Sequence, residues 1–328
     1  MTEKQYYSEK KVSSTSLKWF EDESPWYFKN MLDKEIVQEK LSWFDTGRQI
    51  HMSILEPKEF DINYIYLDYK IPKSENQKKF CEIYIDNINK YTDKERRILS
   101  YERSYNAVGK SEDKINKESE KLYNTLQSYI KYLEKSKEYK EVLTKSKWKL
   151  IQDLKKEAYN HKKARQLLLV ENDLANVEEY NEIPIFWEYK TIEGKTVPCK
   201  SMLDRLVIDH DTKTIKLIDL KTTSNLGTFH KSVDKYKYYR QLAFYWKAVE
   251  YEFKDLQDYK RENYIIALRT KELPECKVFE ISNNLIELGN EEIENLMKDI
   301  SWHFENNFWK YSREYYEGTG VEKLKEEN

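Results

Sequence analysis

A chain of 328 residues is long enough to bury one large core or two modest ones, so no disulfide or metal staple is required on grounds of size. Its 39% hydrophobic residues, with 27 Tyr, 12 Phe and 8 Trp, exclude a disordered polyelectrolyte even though 35% of the chain is charged. The net charge of −2 excludes the overall cationic field of a general nucleic-acid coat, so any contact with a polyanion must use local patches.

Seven Gly and six Pro are few for this length and favour long helices over a many-turned all-β fold, which predicts an α+β chain with helix in excess. Cys81, Cys199 and Cys276 are widely separated and form no C-x-x-C pair, so no zinc or iron–sulfur site is readable and a reducing compartment is expected. The first residues, MTEKQYYSEKK, lack an apolar signal core, and no 18-residue apolar run occurs. A soluble, cytoplasmic protein without membrane contact is the expectation.

In chain order, residues 13–32 (SSTSLKWFEDESPWYFKNML) predict a capped helix, a break at Ser24-Pro25 and a second helix. A third is expected over 45–55, stopped by Pro57. From 74 to 169 the pattern is almost wholly helical, with Leu122, Leu126, Tyr129 and Leu133 three or four apart. That stretch reads as a helical insertion or lobe within a single domain spanning 1–328. Its lysine-rich part, 135–165, is interspersed with Glu138, Glu141 and Glu157 and reads more readily as a solvated helix face than as a DNA clamp. Residues 183–223 switch to β-formers with turn signals at Glu193-Gly194 and Asp209-His210-Asp211, predicting three or four antiparallel strands. A helix over 232–253, strands at 263–270 and 277–282, and a closing helix over 285–308 complete the region 183–308 that carries the chemistry.

Asp204 ends KSMLD, and Asp219 and Lys221 form the D-L-K of IKLIDLKTT. Strand alternation places Asp219 and Lys221 on one face, and a hairpin brings Asp204 beside them. Two carboxylates and an ammonium suit metal-assisted phosphodiester hydrolysis: carboxylates are hard ligands for Mg²⁺ or Mn²⁺, and lysine orients or deprotonates the attacking water. Glu188, in IFWEYK, offers a further carboxylate. A bare D-x-K is common by chance, and the apolar run Ile215, Leu217, Ile218 before it argues against an ordinary surface pair. Gln241 and Tyr245, four apart, share a helix face. Lys231, Lys235, Lys237 and Arg240 interleave with tyrosines as a candidate DNA contact.

The segments LD204R, ID219LK221TT and RQ241LAFY245W, with G47RQIH51MSILE56PKEF60 near the N-terminus, resemble the PD-(D/E)xK nuclease superfamily and, within it, phage and prophage exonucleases of the exonuclease VIII (RecE) type. The resemblance covers most of the chain outside about 74–140. It implies a PD-(D/E)xK (restriction-endonuclease-like) core, with a mostly antiparallel central sheet flanked by helices. It further implies metal binding by Asp204, Asp219 and His51, action of Lys221 on water, and Gln241 and Tyr245 beside the site. The implied activity is 5′ to 3′ hydrolysis from double-stranded DNA ends in phage-type recombination or replication, in the host cytoplasm if phage-encoded. A single-strand annealing protein and a homo-oligomeric ring are the implied partners. The competing reading is a non-catalytic DNA-binding or structural protein that retains the fold; a protein-interaction role for 74–170 is compatible with either.

Overall fold

The computed structural model describes residues 3–36, 42–107, 109–170 and 176–321. In chain order the helices and strands are α1 (Glu3–Ser8), α2 (Ser14–Asp22), α3 (Pro25–Asp33), α4 (Ser42–Leu55), α5 (Pro57–Asn63), β1 (Tyr64–Tyr66), α6 (Glu75–Asp86), α7 (Asp93–Tyr105), α8 (Glu112–Glu138), β2 (Glu141–Leu143), α9 (Lys145–Asn160) and α10 (Lys162–Leu168). They continue with β3 (Val177–Lys190), β4 (Thr196–Asp209), β5 (Thr214–Thr223), α11 (Phe229–Lys235), α12 (Tyr238–Glu252), β6 (Lys260–Arg269), β7 (Glu275–Glu280), α13 (Asn283–Asn306) and α14 (Arg313–Glu317). Two compact units result, one of Met1–His51 with Leu154–Asn328 and one of Met52–Asp153.

The first unit is built on a five-stranded sheet of order β3-β4-β5-β6-β7. Every pairing is antiparallel except β5 with β6. A parallel pair cannot be closed by a tight turn, and α11 and α12 form the crossover. The β4–β5 pairing ends at Arg205↔Ile218. Beyond it β4 stays with β3 as far as Thr196, while β5 stays with β6 as far as Thr223↔Arg269. The sheet therefore forks, and Asp204 and Asp219 are the first residue on each arm.

Apolar residues of β3, β4 and β5 pack with α12, α13 and α2 in one core that includes Trp187, Leu217, Phe244 and Trp246. Gly289 permits the close approach of α13 to α12: a Cβ there would lie 2.9 Å from Ala243 Cβ and from the Arg240 backbone. The N-terminal helices begin where the serines predict. Ser13 caps α2 in a reciprocal capping box, and Ser24 accepts from Tyr27 N–H with Pro25 opening α3.

The second unit has its own apolar cluster, where Phe80, Cys81 and Tyr84 of α6 meet Tyr101 of α7 and Leu126 and Ile130 of α8. It differs from the expected 74–169 stretch at both ends. Inside that stretch β2 pairs in parallel with β1, so the lysine-rich segment 135–165 is no continuous helix. Three-residue strands carry no period for a sequence to display. The helix expected over 232–253 is likewise two helices, broken at Lys237, whose φ is +54°. No helix among the described residues is long and apolar enough to cross a membrane.

Candidate active site at the sheet fork

Asp204 is placed by the β4 backbone and held by its neighbours. Its Oδ2 accepts the Leu220 N–H at 2.7 Å, a donor on the opposite arm of the fork. Arg205, 2% exposed, anchors the root of the fork: Nε donates to Leu167 O at 2.8 Å, Nη1 to Asn181 Oδ1 at 2.7 Å, and Nη2 pairs with Glu179 at 2.5 Å.

His51 reaches this point from α4. Gly47 lies on α4 beside Thr222 of β5, where a Cβ would meet Thr222 Oγ1 at an ordinary 3.6 Å, and one turn later His51 Nδ1 lies 3.5 Å from Asp204 Oδ2. A third group, which no sequence motif marks, completes the cluster. Register on both sides, Asn181↔Arg205 and Ile183↔Leu203, puts Glu182 across from Asp204, and Glu182 takes a left-handed φ of +47°. One ligand atom from each of His51, Glu182 and Asp204 lies within 4.8 Å of the others.

Asp219 is 1% exposed and its Oδ2 pairs with Lys221 Nζ at 2.5 Å; apart from that ion pair neither carboxylate oxygen has a hydrogen-bond partner among the described residues. Lys221 Nζ also lies 5.0 Å from the centre of the Tyr238 ring. On α12 the Gln241 amide donates to the Tyr245 hydroxyl at 2.6 Å.

Charge is poorly balanced here. Burial pushes Asp219 up to about 6, with Asp204 adding repulsion against the lowering effect of Lys221. Burial also raises Asp204. His51 is pushed down to about 4 by burial and then by Lys221. Although burial works against it, Lys221 is raised by Asp219 and Asp204 and keeps its proton. Tyr245 is raised far above its ordinary value by burial and then by the two aspartates. Closely set carboxylates that resist ionisation, plus an imidazole that resists protonation, fit a hard divalent cation: oxygen donors and one nitrogen, short of positive charge.

Other residues singled out in the sequence lie differently. Glu188 is exposed and faces Pro198, six residues along β3 from Glu182, or roughly 20 Å at ~3.3 Å per residue. The hairpin register excludes it from the cluster and puts Glu182 in its place. Counting outward from the Glu193-Gly194 turn finds Glu182, because that count pairs it with Asp204. Arg240 is 2% exposed and pairs with Glu21 at 2.7 Å and Glu292 at 3.2 Å, so it ties α12 to α2 and α13 and presents no charge to a polyanion. Lys237 is likewise engaged, 3.0 Å from Glu292. Lys231 and Lys235 remain exposed.

The comparisons with known proteins agree with this architecture. No curated protein matches the chain in sequence. A solved protein from Eubacterium rectale, described as "Putative exonuclease", superposes with a TM-score of 0.52 at 12% identity, covering 100% of this chain and 96% of its own. At that identity the likeness speaks for the fold. Residues 13–315 match the family model of a PDDEXK-like domain of unknown function (DUF3799), and with the forked sheet and its acidic cluster in place, the chain belongs to that PD-(D/E)xK family.

Proposed function

We propose that this chain is a Mg²⁺- or Mn²⁺-dependent nuclease that hydrolyses phosphodiester bonds from the ends of double-stranded DNA. The observation that carries the reading is the convergence of His51, Glu182 and Asp204, with ligand atoms within 4.8 Å, beside the buried Asp219–Lys221 pair. Family membership supports phosphodiester chemistry, and the resemblance to exonuclease VIII supports dependence on ends and 5′ to 3′ polarity. On that reading the remaining single strand is handed to an annealing protein in phage-type recombination, and a homo-oligomeric ring retains the DNA.

Asp204, Glu182 and His51 would hold the cation, with Asp219 at its flank. When bound, the ion supplies Lewis acidity, acidifying a water and neutralising phosphate charge. Lys221 is fixed as an ammonium between Asp219 and the Tyr238 ring, and donates to the attacking water or a phosphate oxygen. Its raised pKa favours this donor role over that of a base. Tyr245 accepts from Gln241 and keeps its own proton for donation at the fork. The attacking water bonds to phosphorus and gives up a proton to solvent as the bridging P–O bond breaks, and the leaving oxygen takes a proton from solvent.

Digestion of end-labelled linear, nicked and covalently closed duplex with Mg²⁺, Mn²⁺ or EDTA tests the reading. Linear duplex should be shortened progressively in metal and spared in EDTA. Linearisation of closed circles would turn the assignment to an endonuclease, and inertness of the purified protein toward all three forms would remove the nuclease reading.

A further inference from the structure

A second concentration of charge lies along the β4 arm of the fork. Val12 donates to Pro198 O at 2.9 Å and accepts from Lys200 N–H at 2.7 Å, so the N-terminal segment runs beside the edge that β5 leaves open. α1 brings Tyr6 onto Phe186 of β3, with ring centroids 6.0 Å apart and planes within 6°. Three ammoniums gather around this stack. Lys200 Nζ lies 5.0 Å from the Tyr6 ring and donates to the carbonyls of Glu9 at 2.7 Å and Tyr6 at 3.2 Å. Lys11 Nζ lies 5.5 Å from the Phe186 ring. Lys34, set at the end of α3 by a φ of +64°, donates to Ser8 O at 2.6 Å.

Carbonyls and rings solvate an ammonium without cancelling its charge. Among the described residues none of these three lysines forms an ion pair with a carboxylate, unlike neighbouring Lys10 and Lys29, which both pair with Asp33. The imbalance is felt at Lys200, which burial and then Lys34 and Lys11 push down to about 8 although Glu9 opposes them. In a chain of net charge −2, three ammoniums gathered without an ion-paired carboxylate suit an anion.

We propose that Lys11, Lys34 and Lys200 bind a phosphate of the DNA strand engaged at the fork, an inference that rests on the nuclease reading above. Lys200 lies four residues from Asp204 along β4, about 13 Å at ~3.3 Å per residue. That is roughly four steps of a strand rising ~3.4 Å per nucleotide, so the patch grips the substrate close to the scissile bond without reaching it. Lysines suit such a contact, because each is a point charge that holds backbone phosphate irrespective of sequence.

The test is anisotropy of a labelled duplex in EDTA across a salt series, for the full chain and for Lys34→Gln, Lys200→Gln and Lys200→Arg. Each Gln variant should bind several-fold more weakly at low salt, and the slope of log affinity against log salt should shrink by about one. Lys200→Arg should stay close to the parent. Lys34 is exposed, so its variant keeps the test valid if Lys200→Gln misfolds. Wild-type affinity and slope in Lys34→Gln and in any folded Lys200→Gln would overturn the site. Comparing 5′-phosphate with 5′-hydroxyl ends separates the two sources. A lysine effect confined to the former identifies a terminal phosphate, and one present in both identifies an internal phosphate. Wild-type cleavage in Mg²⁺ is scored alongside. Lysine-dependent binding without cleavage would remove the nuclease reading alone, whereas cleavage with lysine-independent binding would remove the phosphate site alone.

Discussion

In the helical cluster of α6, α7 and α8, carboxylates stay at the rim: Asp93 accepts from the Tyr84 hydroxyl, and Glu118 takes both Tyr101 and Lys110. At the fork of β4 and β5 the opposite holds, with Asp219 sealed at 1% exposure, its oxygens unmatched except by Lys221, and Asp204 and Glu182 close by. Removing a rim carboxylate costs only a solvent-screened pair. Removing a fork carboxylate relieves repulsion and desolvation. One unit uses its side chains for folding, and the other accepts a folding cost to keep charge gathered at the fork.

The sharpest way to break that contrast is Asp219→Asn. Cleavage of linear duplex should fall by roughly three orders of magnitude or more, as for loss of a group acting in the transition state. The metal-free melting temperature should hold or rise. A variant that melts well below the parent would mean that Asp219 supports the fold, and the contrast would collapse.

The next effect belongs to the helical unit. Phe80 is fully buried in its cluster, and Phe80→Ala should cost about 3–5 kcal/mol through the cavity it leaves. Denaturant unfolding measures this directly, and a cost under about 1 kcal/mol would show that this cluster is not packed as described.

The smallest effect is a pH slope in EDTA. Asp219, raised to about 6 from 3.8, binds its proton more tightly in the fold, so its contribution to stability is present at low pH and is lost as pH rises through that window. His51, lowered to about 4 from 6.5, does the reverse, and its contribution is lost as pH falls through its own window. The two slopes oppose between pH 4 and 6, and Asp204, also raised by burial, adds to the slope of Asp219. Asp219→Asn removes the first slope, so the stability of that variant relative to wild type should increase from pH 4 to 6, by an amount on the order of 1 kcal/mol per pH unit. An unchanged profile would mean that the fork aspartate does not carry the strained charge.

Local signals are the legible ones. Ser13 and Ser24 announce helix starts because a cap is decided within four residues, and the β3–β4–β5 meander is visible because period-two patterning and turn residues coincide. Asp204 and Asp219 can be set side by side from one hairpin. Glu188 draws attention ahead of Glu182 because choosing between them needs a register count across another hairpin, not residue type. The break at Lys237 carries neither Gly nor Pro, and Arg240 resembles a DNA contact because its partners, Glu21 and Glu292, lie far off in sequence. His51 is more remote still from Asp204, and a spaced motif rather than periodicity marks it.

That remoteness has a consequence for synthesis. His51 closes the first segment of a unit whose remainder begins at Leu154, so the histidine is made long before Glu182 and Asp204 exist. At ~5–20 residues per second, roughly 150 intervening residues take about 8–30 s to emerge. Throughout that interval the nascent chain holds an imidazole without its carboxylates. The His51–Glu182–Asp204 cluster therefore assembles late on the ribosome, after β3 and β4 have emerged.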